Sequence, residues 1–271
     1  MVEPYLFSSD RRLVAAVAGD GPPDSRVAAV VVDWERRGKS TRQANAVDRI
    51  GIDTQINTDG PDDLAAVASM SAVPVLCRLN PWTQSSPAEL EVAISSGASE
   101  VILPMVGGTD EVIAALDAAR GRVGVGIMVE TVDATHAAPG LGKLPITRAY
   151  VGLMDLALER RSRSIFDAIS DGTVERVRES FDMPFGFGGL TVPGGGSPVP
   201  VRLLAAEMVR LGCSFSFLRR SFIGDSGHAP AAGVQAIRKM VTELDERAMT
   251  SIESDRRRLI ELFGSQSTVT S

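Results

Sequence analysis

Residues 123–155 read VGVGIMVETVDATHAAPGLGKLPITRAYVGLMD. The stretch holds two apolar runs, Val123-Val129 and Ile146-Leu153; Glu130 directly follows the first and Asp155 lies just past the second. Short, continuous runs rich in Val and Ile mark parallel strands buried on both faces, whereas a strand with one wet face alternates. Working outward, the same pattern recurs at Val27-Val32, Gly51-Ile56, Val73-Leu79 and Glu100-Met105, and again at Pro184-Leu190 and Cys213-Ser221. Between these runs lie stretches of helical spacing. Leu64, Val67 and Ala68 share one face, as do Val112, Ile113 and Leu116; Leu90-Ile94, Val174-Phe181 and Val201-Leu211 follow suit. Helix starts are predicted at Asp110 and at Ser86-Pro87. Eight strands alternating with helices through right-handed crossovers predict an α/β fold, a (β/α)8 barrel. A doubly wound open sheet fits the same alternation, but the count of eight and the lack of a glycine fingerprint after the first strand favour the barrel.

Residues 1–26 read as an irregular N-terminal extension with one helical piece, Asp10-Ala18. Residues 230–264 read as a C-terminal helical segment, one long helix or a broken pair, with Val234, Ile237, Met240, Val241 and Leu244 on one stripe. That stripe belongs either to the last barrel helix or to a helix docked on a neighbouring subunit. Residues 1–271 are thus expected to form one barrel domain. The composition, 44% hydrophobic and 23% charged, excludes a disordered chain or a fibre. No apolar stretch approaches the roughly 20 residues of a membrane span, and residues 1–20 lack the pattern of a signal peptide, so a cytoplasmic location is expected. Two cysteines, Cys77 and Cys213, are too few for a disulfide framework or a cysteine-rich zinc site. A net charge of −6 argues against a nucleic-acid surface.

Barrel active sites sit at the C-terminal ends of the strands, which turns the search for chemistry into a short set of strand-end residues. Glu130 and Asp155 should emerge at one rim on adjacent strands, and two hard oxygen ligands side by side commonly hold Mg²⁺ or Mn²⁺. A lone strand-end carboxylate is more often a helix cap or an ion-pair partner. Arg78, at the end of Val75-Leu76-Cys77, offers a bidentate fork for a carboxylate or an enolate oxygen, or a salt bridge to Glu130 or Glu35. Gly194-Gly195-Gly196 and Arg219-Arg220 follow the last two strands, where barrel enzymes often bind phosphate; strand alternation lets at most one of the two arginines point inward, toward a phosphate or a second carboxylate. Arg36, Arg37, Lys39 and Arg42 suggest an acidic substrate, or else a solvated basic loop. His136 and His228 are not at strand ends and read as surface residues, which disfavours a histidine triad or a multi-histidine zinc site. Trp82 is either a pocket wall or a packing residue, and Cys77 a small core residue.

These strand ends resemble a known family. The segments Val31-Val32-Asp33-Trp34-Glu35, Pro74-Val75-Leu76-Cys77-Arg78, Gly97-Ala98 through Ile102-Leu103-Pro104-Met105-Val106, Val129-Glu130-Thr131 and Gly152-Leu153-Met154-Asp155-Leu156 are similar, in order, to those of the metal-dependent 2-oxo acid aldolases of the 4-hydroxy-2-oxoheptanedioate type and their citrate lyase β-subunit and malyl-CoA lyase relatives. The likeness covers roughly residues 27–160. It implies a barrel of the phosphoenolpyruvate/pyruvate-domain type, a homo-oligomer such as a trimer or hexamer, and Mg²⁺ or Mn²⁺ held by Glu130 and Asp155. It also implies that the metal chelates a pyruvate- or oxaloacetate-type 2-oxo acid, that Arg78 stabilises the enolate oxygen, and that backbone N–H groups at Met154-Asp155 hold the carboxylate. The expected site is therefore Arg78 and Glu35 in catalysis, Arg78, Met154, Asp155 and Arg36 in substrate binding, and Glu130 and Asp155 at the metal. The expected activity is that of a carbon–carbon lyase or aldolase. A CoA-ester lyase or condensing enzyme and a non-catalytic binding protein are the alternatives. The last arises from a departure: the aldolases' proton-transfer histidine and its aspartate are replaced here by Arg36 and Ser95, leaving Glu35, a metal-bound water, a thioester electrophile or loss of activity to account for the difference.

Overall fold

The computed structural model describes residues 1–42 and 58–264. Eight parallel strands, β1 (Glu3–Phe7), β2 (Ala29–Asp33), β3 (Val75–Arg78), β4 (Glu100–Leu103), β5 (Gly124–Val129), β6 (Arg148–Val151), β7 (Phe185–Phe187) and β8 (Phe215–Phe217), run in the order β7-β6-β5-β4-β3-β2-β1-β8. The ends of that order meet. Leu190 bridges Leu218 in parallel, with Leu190 N–H donating to Phe217 O at 2.8 Å and Arg219 N–H to Leu190 O at 2.7 Å. The sheet is a closed barrel, and the open doubly wound alternative is excluded.

One strand lies where none is expected. The first is Glu3–Phe7, inside the segment read as irregular, and it pairs with both β2 and β8. Its EPYLF sequence contains a proline and no β-branched residue, so it carries neither signal on which the other runs were found. The expected strand Gly51-Ile56 lies outside the described residues; β2 and β3 are direct neighbours, from Val30↔Val75 to Asp33↔Arg78.

Each strand buries two faces, as the unbroken apolar runs imply. Ala29, Val31, Leu76, Ile102, Met128, Tyr150, Phe215 and Phe217 fill the barrel interior, with Tyr5 and Phe7 beside them. Val30, Val32, Val75, Cys77, Val101 and Leu103 face the helices. Rings do much of the filling: Tyr150–Phe217 and Phe7–Phe217 centroids lie 4.2 and 4.5 Å apart. Full burial of each large side chain contributes about 1.5–3 kcal/mol. At the C-terminus the broken pair is observed. Helix Pro230–Asp245 buries the expected stripe, and helix Met249–Gly264 packs on its own barrel, with Phe263 stacked on Phe166 and Arg256 reaching Glu207 and Glu175. No helix among the described residues is long and apolar enough to cross a membrane.

Candidate functional site

Strand alternation decides which side chains enter the barrel mouth. Ala29 and Val31 point inward on β2, so Asp33 does too, and Glu35 two residues on. By the same count Leu76 brings Arg78, Met128 brings Glu130, Tyr150 brings Gly152, and Phe215 and Phe217 bring Arg219. Asp33 and Arg78 are register partners on adjacent strands, and the guanidinium donates to both oxygens, Nε to Oδ1 at 2.8 Å and Nη2 to Oδ2 at 2.6 Å. Burial pushes the Asp33 carboxyl up, but Arg78, Lys39 and the Glu35 N–H outweigh it and bring it down to about 2. Burial acts to lower the Arg78 pKa, yet Asp33, Glu35 and Glu130 hold it above its ordinary value.

The one-turn helix Lys39–Arg42 follows the left-handed Gly38 and turns two more cations onto the cluster. Lys39 is 3% exposed, with Nζ 3.3 Å from Asp33 Oδ2 and 3.5 Å from Glu35 Oε2. Arg42 pairs with Glu35 Oε1, and its Nε lies 3.6 Å from Asp155 Oδ1. Arg78 Nη2 completes the contacts of Glu35 at 3.3 Å. The basic loop thus divides. Lys39 and Arg42 turn inward, while Arg36 and Arg37 are exposed, Arg36 bonding to the Asp59 carbonyl and Arg37 to Thr83 Oγ1. Asn80 fixes that division by accepting from the N–H groups of both at 2.9 and 2.8 Å while donating to Glu89. The expected substrate contact at Arg36 therefore stands on the outer rim, apart from the buried cluster.

Glu130 is 2% exposed, and Oε1 accepts from Met105 N–H at 2.9 Å. Met105 holds a left-handed φ of 54°, which aims that N–H inward. A Cβ on Gly152 would overlap Glu130 Oε2, so glycine there makes room for the carboxyl. Burial, then the nearby Asp155 and Glu35 charges, push the Glu130 carboxyl up to about 8 against the pull of Arg78 and the Met105 N–H. Since Oε1 already accepts a hydrogen bond, the proton belongs on Oε2. Asp155 is not on a strand, as expected from Ile146-Leu153, but in the first turn of helix Leu153–Arg160; β6 ends at Val151 and Gly152 is the N-cap. A carboxylate there is favoured by the helix dipole, and the first turn of a helix aims its N–H groups out of that end. Next to Glu130, Thr131 caps helix Val132–Leu141 by accepting from Ala134 N–H at 2.9 Å and donates to Val106 O at 2.7 Å.

The structure thus joins Arg78, Glu35, Glu130 and Asp155, as the strand ends implied, and adds Asp33, Lys39 and Arg42. Asp33 had a signal, its place directly after the apolar run Val27-Val32; the inward turn of Lys39 and Arg42 had none. Ser95 is exposed, bonds within its own helix and makes no dyad with Arg36. His136 and His228 are exposed, Trp82 is half-buried against the helix-side core, and Cys77 is fully buried with its thiol pKa pushed up, chiefly by burial. Among the described residues no group of three or more His, Cys, Asp or Glu side chains is arranged to hold a metal, so the candidate set is the Glu130–Asp155 pair. Among the described residues Asp33, Glu35 and Asp155 face Lys39, Arg42 and Arg78, and Asp59 adds a carboxylate whose Oδ2 accepts from Asp33 N–H at 3.4 Å.

No known family profile matches the chain, and no curated protein matches it by sequence. Solved structures do. RipC from Yersinia pestis superposes with a TM-score of 0.56 at 11% identity, covering 93% of this chain and 98% of its own. Citrate synthase SbnG gives 0.58 at 15%, covering 85% and 92%. The tryptophan synthase α-subunit from Pyrococcus furiosus gives 0.55 at 12%, covering 90% and 99%. At these identities the likeness establishes the barrel.

Proposed function

We propose that this chain is a divalent-metal-dependent carbon–carbon lyase or aldolase that works through the enolate of a pyruvate- or oxaloacetate-type 2-oxo acid. The observation that carries the reading is the Glu130 carboxyl at the barrel mouth, pushed up to about 8 by burial and then by the Asp155 and Glu35 charges, beside an Arg78 guanidinium fixed by Asp33. Hard oxygen donors whose mutual repulsion is relieved by a cation suit Mg²⁺ or Mn²⁺, with water and substrate supplying the remaining ligands. Charge supports the fit. Ionising Glu130 beside Asp155 and Glu35 adds a like charge that a divalent ion relieves. When bound, the metal polarises the substrate carbonyl.

The chain's own groups do the rest. The first-turn N–H groups at Met154-Asp155 bind the substrate carboxylate. Arg78, held rigid by Asp33, presents positive charge where the enolate oxygen develops, and being pre-oriented it loses nothing to reorganisation. Glu35 is the nearest candidate for moving a proton at the substrate methyl, and it does so only after one of its contacts to Lys39, Arg42 or Arg78 opens. SbnG, a citrate synthase by description, is in keeping with enolate chemistry on this barrel.

The saturation of Arg78 and Glu35 by ion pairs favours a second reading, ligand binding without turnover. One experiment separates the two: proton exchange of pyruvate in D₂O followed by NMR, with Mn²⁺ or Mg²⁺ and then with EDTA. Metal-dependent loss of the methyl signal is expected. No exchange on free pyruvate moves the assignment to a thioester substrate of the citryl- or malyl-CoA kind if those turn over, and to binding alone if they do not.

A further inference from the structure

The β8 edge of the mouth holds a charged group that the chemistry above does not use. Arg219 continues the inward series Phe215, Phe217, so its side chain rises into the mouth next to the Tyr150 layer. It is half-buried, and its Nε donates to Gly189 O at 3.0 Å. Among the described residues no carboxylate pairs with it. The Asp225 carboxylate acts on it electrostatically and lies against the glycine turn, with Oδ2 3.3 Å from where a Gly195 Cβ would stand, but it forms no ion pair with the guanidinium and accepts from Thr191 Oγ1 and Ser221 Oγ. Every other cation at the mouth, Lys39, Arg42 and Arg78, has at least one carboxylate partner. A guanidinium that gives up part of its water without a counter-charge bears a cost that an incoming anion removes.

The glycine turn closes over the same space. Gly194 and Gly196 take left-handed φ values of 87° and 94°, which L side chains rarely adopt. A Cβ on Gly196 would lie 2.6 Å from Val199 O, 2.7 Å from Val201 N and 3.3 Å from Arg219 Nη1, so the bare backbone lies directly against the guanidinium. Arg220, by contrast, is exposed on the outward face.

We propose that Arg219 and the Gly194–Gly196 turn form a second anion subsite, one that holds a carboxylate or phosphoryl group at the far end of the substrate and so selects dianionic 2-oxo acids over pyruvate itself. The identity of the near end rests on the proposed lyase reading; the subsite does not. Arg78 and Arg219 then divide the substrate, Arg78 taking the oxygen where charge develops and Arg219 the end that does not react, which contributes to binding and orientation.

The test is calorimetric titration of the full chain with Mn²⁺ present, using 2-oxoglutarate and its uncharged-tail counterpart 2-oxopentanoate. Wild type is expected to bind 2-oxoglutarate at least about tenfold tighter, the order expected of a charge-assisted bidentate contact. Arg219→Met should abolish that preference and Arg219→Lys retain part of it, the lysine variant guarding against a folding artefact. Equal affinities in wild type, or a preference that survives in Arg219→Met, overturn the subsite. Titration with 3-phosphonopyruvate tells phosphoryl from carboxylate: the one bound tighter through Arg219 is the group selected. Inorganic phosphate separates this inference from the one beneath it. Arg219-dependent phosphate binding with neither oxo acid bound keeps the subsite and removes the 2-oxo acid reading; binding of 2-oxopentanoate with no gain for 2-oxoglutarate does the reverse.

Discussion

Among the described residues a buried charge cluster lies at each end of the strand barrel, and the two are built differently. At the N-terminal floor, Glu100 opens β4 and Arg148 opens β6; Arg148 Nη2 donates to Glu100 Oε2 at 2.7 Å, Nε to Oε1 and Nη1 to Tyr5 Oη. The guanidinium lies 5.1 Å from the ring centres of Tyr5 and Phe215. Gly126 between the two strands makes room, since a Cβ there would lie 2.8 Å from both Arg148 Cγ and Glu100 Oε1. One cation meets one anion and little is left unsatisfied. At the C-terminal mouth several carboxylates share Lys39, Arg42 and Arg78, burial and the neighbouring Asp155 and Glu35 push the Glu130 carboxyl up to about 8, and Arg219 has no carboxylate partner among the described residues. A closed one-to-one pair fixes structure. A cluster in which burial and neighbouring carboxylates hold one carboxyl in its protonated form is poised to exchange that proton for a ligand.

The largest break in that comparison comes from the mouth. Glu130→Gln or Asp155→Asn is expected to lower metal-dependent pyruvate exchange by about 10²–10³-fold, the order seen when one group that stabilises developing charge is lost. The melting temperature of Glu130→Gln should hold near neutral pH, because an amide then replaces a carboxyl that is already protonated. Full exchange in either variant would sink the assignment of the pair.

The floor should answer in the opposite currency. Arg148→Met alone leaves Glu100 buried and unpaired and should cost about 3–5 kcal/mol in denaturant unfolding. Arg148→Met with Glu100→Leu should recover most of that loss, and neither variant should alter Mn²⁺ affinity. A double variant as unstable as the single would mean that the pair does more than balance charge.

A smaller effect sharpens the contrast through pH. The Glu130 carboxyl is raised from its ordinary 4.5 to about 8, so its stabilising contribution is whole below 4.5 and is lost as pH rises through 8. Asp33 runs the other way: lowered from 3.8 to about 2, it contributes about 2 kcal/mol above 3.8 that disappears as pH falls through 2. Because a cation must displace the Glu130 proton, Mn²⁺ affinity should climb about tenfold per pH unit up to about 8 and then level. Calorimetry at pH 6, 7 and 8 checks it, and Glu130→Gln should flatten the profile.

Most of the barrel was legible in the chain because a strand buried on both faces must be apolar at every position, and that constraint writes itself into runs such as Val123-Val129. The strand-end rule then brought Arg78, Glu130 and Asp155 forward, since each follows an apolar run; the side-chain period of two places Arg78 and Glu130 in the inward series, while Asp155 reaches the rim in the first turn of its helix. The first strand escaped because EPYLF packs aromatic rings into the barrel without a β-branched run, and Asp155 was placed on a strand because Tyr150–Met154 stays apolar across the strand–helix boundary at Gly152. What no local pattern holds is pairing across the mouth. Lys39 and Arg42 look like their exposed neighbours Arg36 and Arg37, and only the turn at Gly38, clamped by Asn80 from the next strand, sends one pair inward and the other out. Likewise Arg219 and Arg220 are equals in sequence, and the closure of β8 onto β7 makes one of them part of the mouth. The sequence by itself determined which residues reach the C-terminal rim, because alternation is a property of the backbone. Tertiary structure decided which charges meet, because Coulomb partners lie tens of residues apart and depend on barrel register, burial and the direction of each loop.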